Sequence, residues 1–103
     1  MSTVHLRYVL DPYKLDDFED YGRRWITLVN RFGGQHLGYF LPSEGASNIA
    51  HALFTFPSLA LYERYRHDSS TDPDCVSTIK IAEQSRCILS YGRTFLRPVT
   101  NGL

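Results

Sequence analysis

Over residues 3–10 apolar and polar side chains alternate with a period close to two. Val4, Leu6, Tyr8 and Leu10 point one way, and Thr3, His5, Arg7 and Val9 point the other. That period predicts a strand with one face buried. Asp11-Pro12 ends it, since proline has no N–H for a ladder, and the proline suits a helix start. The period then lengthens to 3.6. Leu15, Phe18, Tyr21, Trp25, Leu28, Val29 and Phe32 form a stripe, while Asp16, Asp17, Glu19, Asp20, Arg23 and Arg24 mostly fill the other side. This predicts an amphipathic helix of about five turns, closed by Gly33-Gly34. Its acids come early and its arginines late, in keeping with the helix dipole.

The remainder divides in the same way. Residues 35–41 and 48–56 predict two strands, joined as a hairpin across the Pro42–Ser47 turn with Gly45. Within the first, Leu37, Tyr39 and Leu41 are expected opposite Gly38 and Phe40. Within the second, Ala50, Ala52, Phe54 and Phe56 share one face, with Ile49 and Leu53 on the other. Pro57 breaks the strand, and Ser58 is the expected N-cap of a short helix to about His67. Asp72-Pro73 predicts a second cap, with proline at the first helical position of a helix to about Ser85. Residues 87–96 predict the last strand, with Leu89, Tyr91 and Phe95 opposite Ile88 and Leu96, and Pro98 ends it.

The order β-α-β-β-α(α)-β predicts an α+β, ferredoxin-like domain spanning residues 1–103. Its four-stranded antiparallel sheet is expected in the order 4-1-3-2, with the helices on one face. A sheet whose second face meets water alternates apolar and polar cleanly. These strands carry apolar residues on both faces, so the second face is expected to pack on something, most simply on a second copy of the domain.

Composition narrows the function classes. Eleven basic and eleven acidic residues cancel to zero net charge, which argues against nucleic-acid binding through bulk charge and against a polybasic membrane anchor. The longest apolar run, Leu59 to Tyr62, is far short of the roughly 20 residues of a membrane span, and the first residues lack the form of a secretory signal. Cys75 and Cys87 have neither C-x-x-C spacing nor a histidine nearby, so they read as buried hydrophobes in a reducing cytoplasm. No spacing calls for a metal or another cofactor. Seven tyrosines, six phenylalanines and one tryptophan are many aromatics for so short a chain.

Several stretches resemble NIPSNAP-family proteins: Leu6 to Lys14, Gly34 to Pro42, Asn48 to Leu59, Asp72-Pro73 and Phe95 to Pro98. They follow in the family's order over nearly the whole chain. The resemblance implies a dimeric α+β barrel, in which two ferredoxin-like sheets close face to face. The chain departs from the family pattern at Tyr13, where many members have glycine. It departs again at Ala52-Leu53-Phe54, where many have His-Leu-Trp. The family's strand histidine therefore does not carry over to His51, because a one-residue shift moves a side chain to the other face.

The candidate chemistry follows from the faces. With Val4, Leu6, Tyr8 and Leu10 turned to the helices, His5 and Arg7 face the space between two sheets, and His51 joins them from the neighbouring strand. Tyr91 and Arg93 are further candidates for the same pocket. An arginine and imidazoles within aromatic walls suit a small aromatic or anionic ligand. Two function classes stand side by side: a homodimeric ligand binder or small enzyme using an inter-sheet cavity, and a non-catalytic scaffold whose barrel is only a dimer core.

Overall fold

The computed structural model describes residues 1–101. The elements are β1 (Ser2–Leu10), α1 (Leu15–Arg31), β2 (Gln35–Phe40), β3 (Ile49–Phe56), α2 (Leu59–Ser69), α3 (Pro73–Ser85) and β4 (Ile88–Leu96). The four strands form one antiparallel sheet in the order β2-β3-β1-β4. This is the expected βαββαβ arrangement, with the second helical segment divided into α2 and α3.

Local chemistry fixes the helix ends. Ser58 Oγ accepts from the Leu61 N–H at 3.2 Å, and an Asp72 carboxylate oxygen accepts from the Cys75 N–H at 3.0 Å, with Pro73 opening α3. Each cap satisfies a donor that the first turn leaves free. Pro12 does not open α1, contrary to the sequence reading. Asp11 Oδ1 accepts from the Tyr13 N–H at 2.9 Å, making a local turn, and the helix begins only at Leu15. At the far end of α1, Arg31 bonds Asp72 at 2.7 Å and Asp74 at 2.8 Å, tying α1 to the start of α3.

The core lies between the sheet and the helices. Val4, Leu6, Tyr8 and Leu10 of β1 and Ala50, Ala52, Phe54 and Phe56 of β3 pack under Phe18 and Val29 of α1 and Tyr62 and Tyr65 of α2. Phe18 is fully buried. A buried side chain of this kind contributes about 2–3 kcal/mol through the area it removes from water. Cys75 and Cys87 are buried and free, as the spacing implied.

Two bulges overturn part of the strand reading. In β2, His36 pairs with Phe54 but Gly38 with Leu53, so Leu37 is an extra residue. His36 and Tyr39 thereby both turn toward the helices, and Leu37 and Phe40 are left exposed on the other side. Asn30 Oδ1 accepts from the His36 N–H at 2.8 Å, and His36 Nδ1 accepts from the Gly38 N–H at 2.9 Å. Gly38 has φ +126°, a conformation that glycine adopts without the strain a Cβ would bring. In β4, Leu10 pairs with Ile88 and Val9 with Ser90, so Leu89 is the extra residue. Ile88 therefore shares the helix face with Tyr91 and Phe95 instead of opposing them.

Candidate ligand cavity

The structure divides the five site residues expected from sequence between the two faces of the sheet. His5, Arg7 and His51 come together on the open face. His5 Nε2 and His51 Nδ1 are 2.9 Å apart, their rings are nearly parallel with centroids 5.1 Å apart, and Arg7 lies in register with His51. Tyr91 and Arg93 lie on the other face, because β4 pairs them with Tyr8 and Leu6, which both point inward. One pocket does not hold all five.

Tyr91 and Arg93 instead line a cavity of about 370 Å³ between the sheet and the helices. Six of the seven tyrosines border it: Tyr8, Tyr21, Tyr39, Tyr62, Tyr65 and Tyr91. They arrive from five different elements. β1, β2 and β4 supply inward positions, the α1 stripe adds Tyr21 beside Trp25, and α2 adds two tyrosines three residues apart. Phe18 packs beneath, edge-on to Tyr8 at 4.9 Å and to Tyr39 at 5.6 Å. Gly22 on α1 admits the Tyr39 ring, because a Cβ there would come within 3.0 Å of it.

The polar groups in this space are mostly donors. Burial raises the pKa of Tyr8, Tyr39 and Tyr65, and pushes Tyr21 up to about 12, with the Trp25 N–H working against the shift at Tyr21. These phenols therefore stay protonated at neutral pH. The buried Trp25 Nε1 makes no hydrogen bond of normal geometry. Arg93 stands over the Tyr91 ring at 6.0 Å, and its charge partly offsets the rise at Tyr8 and Tyr21. Arg66 Nη1 donates to the Tyr62 hydroxyl at 3.1 Å. Glu83 is the single carboxylate on the wall. Behind the wall, His36 stacks on Tyr39 at 4.9 Å, and burial lowers its pKa to about 4. Its Nε2 is buried without a partner.

An apolar volume of this size with a few converging polar groups is the usual form of a small-molecule site. Flat aromatic walls suit a planar ligand. Phenols, an indole N–H and two guanidiniums suit oxygen acceptors on it. Sequence reasoning placed Tyr21 and Trp25 in an ordinary packing stripe. The available signal was the use of tyrosine, rather than phenylalanine or leucine, at inward positions. Among the described residues, no group of three or more His, Cys, Asp or Glu side chains gathers to hold a metal, and no helix is long and apolar enough to cross a membrane.

Comparison with known proteins adds to this geometry. The NIPSNAP family profile matches residues 5–101. The chain belongs to the NIPSNAP family. A NIPSNAP family protein of unknown function from Agrobacterium tumefaciens superposes with a TM-score of 0.83 at 18% identity, over 99% of this chain and 91% of that one. An uncharacterized NIPSNAP-like domain protein from Burkholderia xenovorans gives 0.79 at 21% identity, over 99% and 89%. The same fold recurs in a Nitrosomonas europaea protein described as a candidate antibiotic biosynthesis monooxygenase. That match has a TM-score of 0.74 at 6% identity, over 97% and 100%. No functionally curated protein is significantly similar in sequence.

Proposed function

We propose that this NIPSNAP protein is a homodimer whose subunits each bind a small planar aromatic molecule bearing oxygen acceptors. The site is the cavity between the sheet and the helices. The observation that carries the reading is the convergence on one space of about 370 Å³ of six tyrosines, Arg93 and a buried Trp25 N–H that makes no hydrogen bond of normal geometry. A packed core has no use for that many polar tips. A buried donor without a well-formed hydrogen bond loses stability, so the retention of the Trp25 N–H is understandable where a ligand completes it.

The ligand is placed on the helix side, and not between two sheets as the strand pattern alone suggested. The second copy belongs on the open face. That face carries exposed Leu37, Phe40 and Leu96 beside partly buried Val9, Ile49 and Leu53. The two free, buried cysteines support a reducing, cytoplasmic setting.

The chain has a single tryptophan, and it lines the cavity. Trp25 fluorescence is therefore a direct reporter of occupancy. Titration with phenols and aromatic carboxylates is expected to quench it saturably, with one site per subunit. Arg93→Ala is expected to weaken the best ligand at least tenfold while leaving the fold intact by circular dichroism. Quenching that never saturates across the panel would overturn the ligand reading and leave the scaffold role. The structural likeness to the Nitrosomonas europaea protein makes oxygen consumption the first activity to assay once a ligand is in hand.

A further inference from the structure

We propose that the open face of the sheet, when covered by a second copy, holds a small oxyanion between the Arg7 guanidiniums and the His5–His51 pairs of the two copies. The inference rests on the dimer reading above and concerns a different site from the aromatic cavity.

The argument begins with the charges on that face. β1 contributes His5 and Arg7, and β3 contributes His51. β2 adds Leu37, Gly38 and Phe40, and β4 adds Ser90, Gly92, Thr94 and Leu96. No strand places a carboxylate there, and no described ion pair includes Arg7. Arg7 is exposed, as are the apolar Leu37, Phe40 and Leu96 around it. Covering those apolar groups with an identical face brings a second uncompensated arginine into the same space. Burying unpaired charge is strongly unfavourable, so the covered face requires a counter-charge. An oxyanion supplies it, and a guanidinium's planar fork matches the oxyanion's geometry.

The histidine pair adds hydrogen-bonding groups beside the arginine. With both imidazoles neutral, one proton lies in the 2.9 Å contact between His5 Nε2 and His51 Nδ1. One outer nitrogen of the pair then donates and the other accepts. A single further proton turns both outer nitrogens into donors and leaves the shared hydrogen bond in place. The titratable and charged groups that the four strands place on this face are His5, His51 and Arg7, so nothing acidic opposes the anion.

The test is sedimentation equilibrium of the full chain in a buffer low in chloride, with and without millimolar inorganic phosphate. The expected result is a dimer dissociation constant at least tenfold lower with phosphate. Arg7→Gln is expected to remove the phosphate effect, while its exposed position keeps the fold. Benzoate in place of phosphate separates the possible sources: a larger gain assigns the site to an organic carboxylate, and a smaller one to a phosphate-like ion. A wild-type dimer indifferent to both anions overturns the proposal and leaves the dimer reading standing. So does a Glu44→Gln variant that loosens the dimer while the anions do nothing, since the counter-charge is then a turn of the partner copy. A chain that stays monomeric at micromolar concentration in every condition overturns the dimer reading itself.

Discussion

The two faces of this sheet are built from the same strands and use their polar groups in opposite ways. On the helix side, polar chemistry hangs from large aromatic bodies, and burial keeps the phenols of Tyr8, Tyr21, Tyr39 and Tyr65 neutral. On the open side the charged and titratable groups are His5, Arg7 and His51, set among apolar and uncharged side chains. A protein can retain uncharged donors inside a closed cavity at moderate cost. It cannot close a face over cations without a counter-charge. On the proposed reading the helix side is complete within one chain once it holds a ligand, and the open side is covered by a partner copy.

The sharpest way to break this contrast is to delete one phenylalanine from each face. Phe54 is buried under Tyr62 and stacks beside His36 at 5.5 Å. Phe54→Ala is expected to cost about 3–5 kcal/mol in urea unfolding, as large-to-small core changes do. A loss under about 1 kcal/mol would mean that the helix side is not the core.

A smaller effect comes from His36. Burial lowers its pKa to about 4, against about 6.5 in an unfolded chain. The neutral imidazole is thus favoured by folding. Its contribution is complete above about pH 6.5, and it is lost as pH falls from there toward 4, because the unfolded chain binds the proton first. His36 is only partly buried, so screening reduces the effect to about 1–2 kcal/mol. His36→Asn keeps an acceptor for the Gly38 N–H and removes the titration. Its stability is expected to fall less than that of the wild type between pH 7 and 4.5. Parallel pH profiles would show that His36 is not held neutral.

The Ser58 cap supports α2, which brings Tyr62 and Tyr65 to the cavity. Ser58→Ala is expected to cost about 1 kcal/mol. The smallest effect belongs to the open face. Phe40 is exposed there, and Phe40→Ala is expected to change monomer stability by less than about 1 kcal/mol while weakening self-association. A loss as large as that at Phe54 would mean that the open face is part of the monomer core.

Most of the architecture was legible because the hydrophobic period changes sharply from 2 to 3.6 and back. Ser58, Asp72 and Pro73 marked two helix starts by capping chemistry alone. Pro12 misled because its neighbour Asp11 closes a turn on Tyr13 before the helix begins. The sheet faces were legible in β1 and β3, which run without interruption. They were misread in β2 and β4, where Leu37 and Leu89 each add one residue to the ladder. A bulge leaves no trace in a hydrophobicity pattern, since an inserted leucine looks like any other. His5, Arg7 and His51 were grouped correctly because their strands are neighbours in register. Tyr91 and Arg93 were grouped with them because the strict alternation assumed for β4 does not hold. The cavity was hidden for a different reason. Tyrosine on a packing stripe looks the same whether its hydroxyl meets protein or an empty space.

The most direct test is therefore at Trp25, the one tryptophan, which stands on the wall of that space. Its fluorescence should respond saturably to an oxygen-bearing aromatic ligand, with one site per subunit. The response should weaken at least tenfold in Arg93→Ala and disappear in Ala82→Phe, which fills the cavity from α3. Equal titration curves for the wild type and the filled variant would contradict the account, because binding would then lie elsewhere.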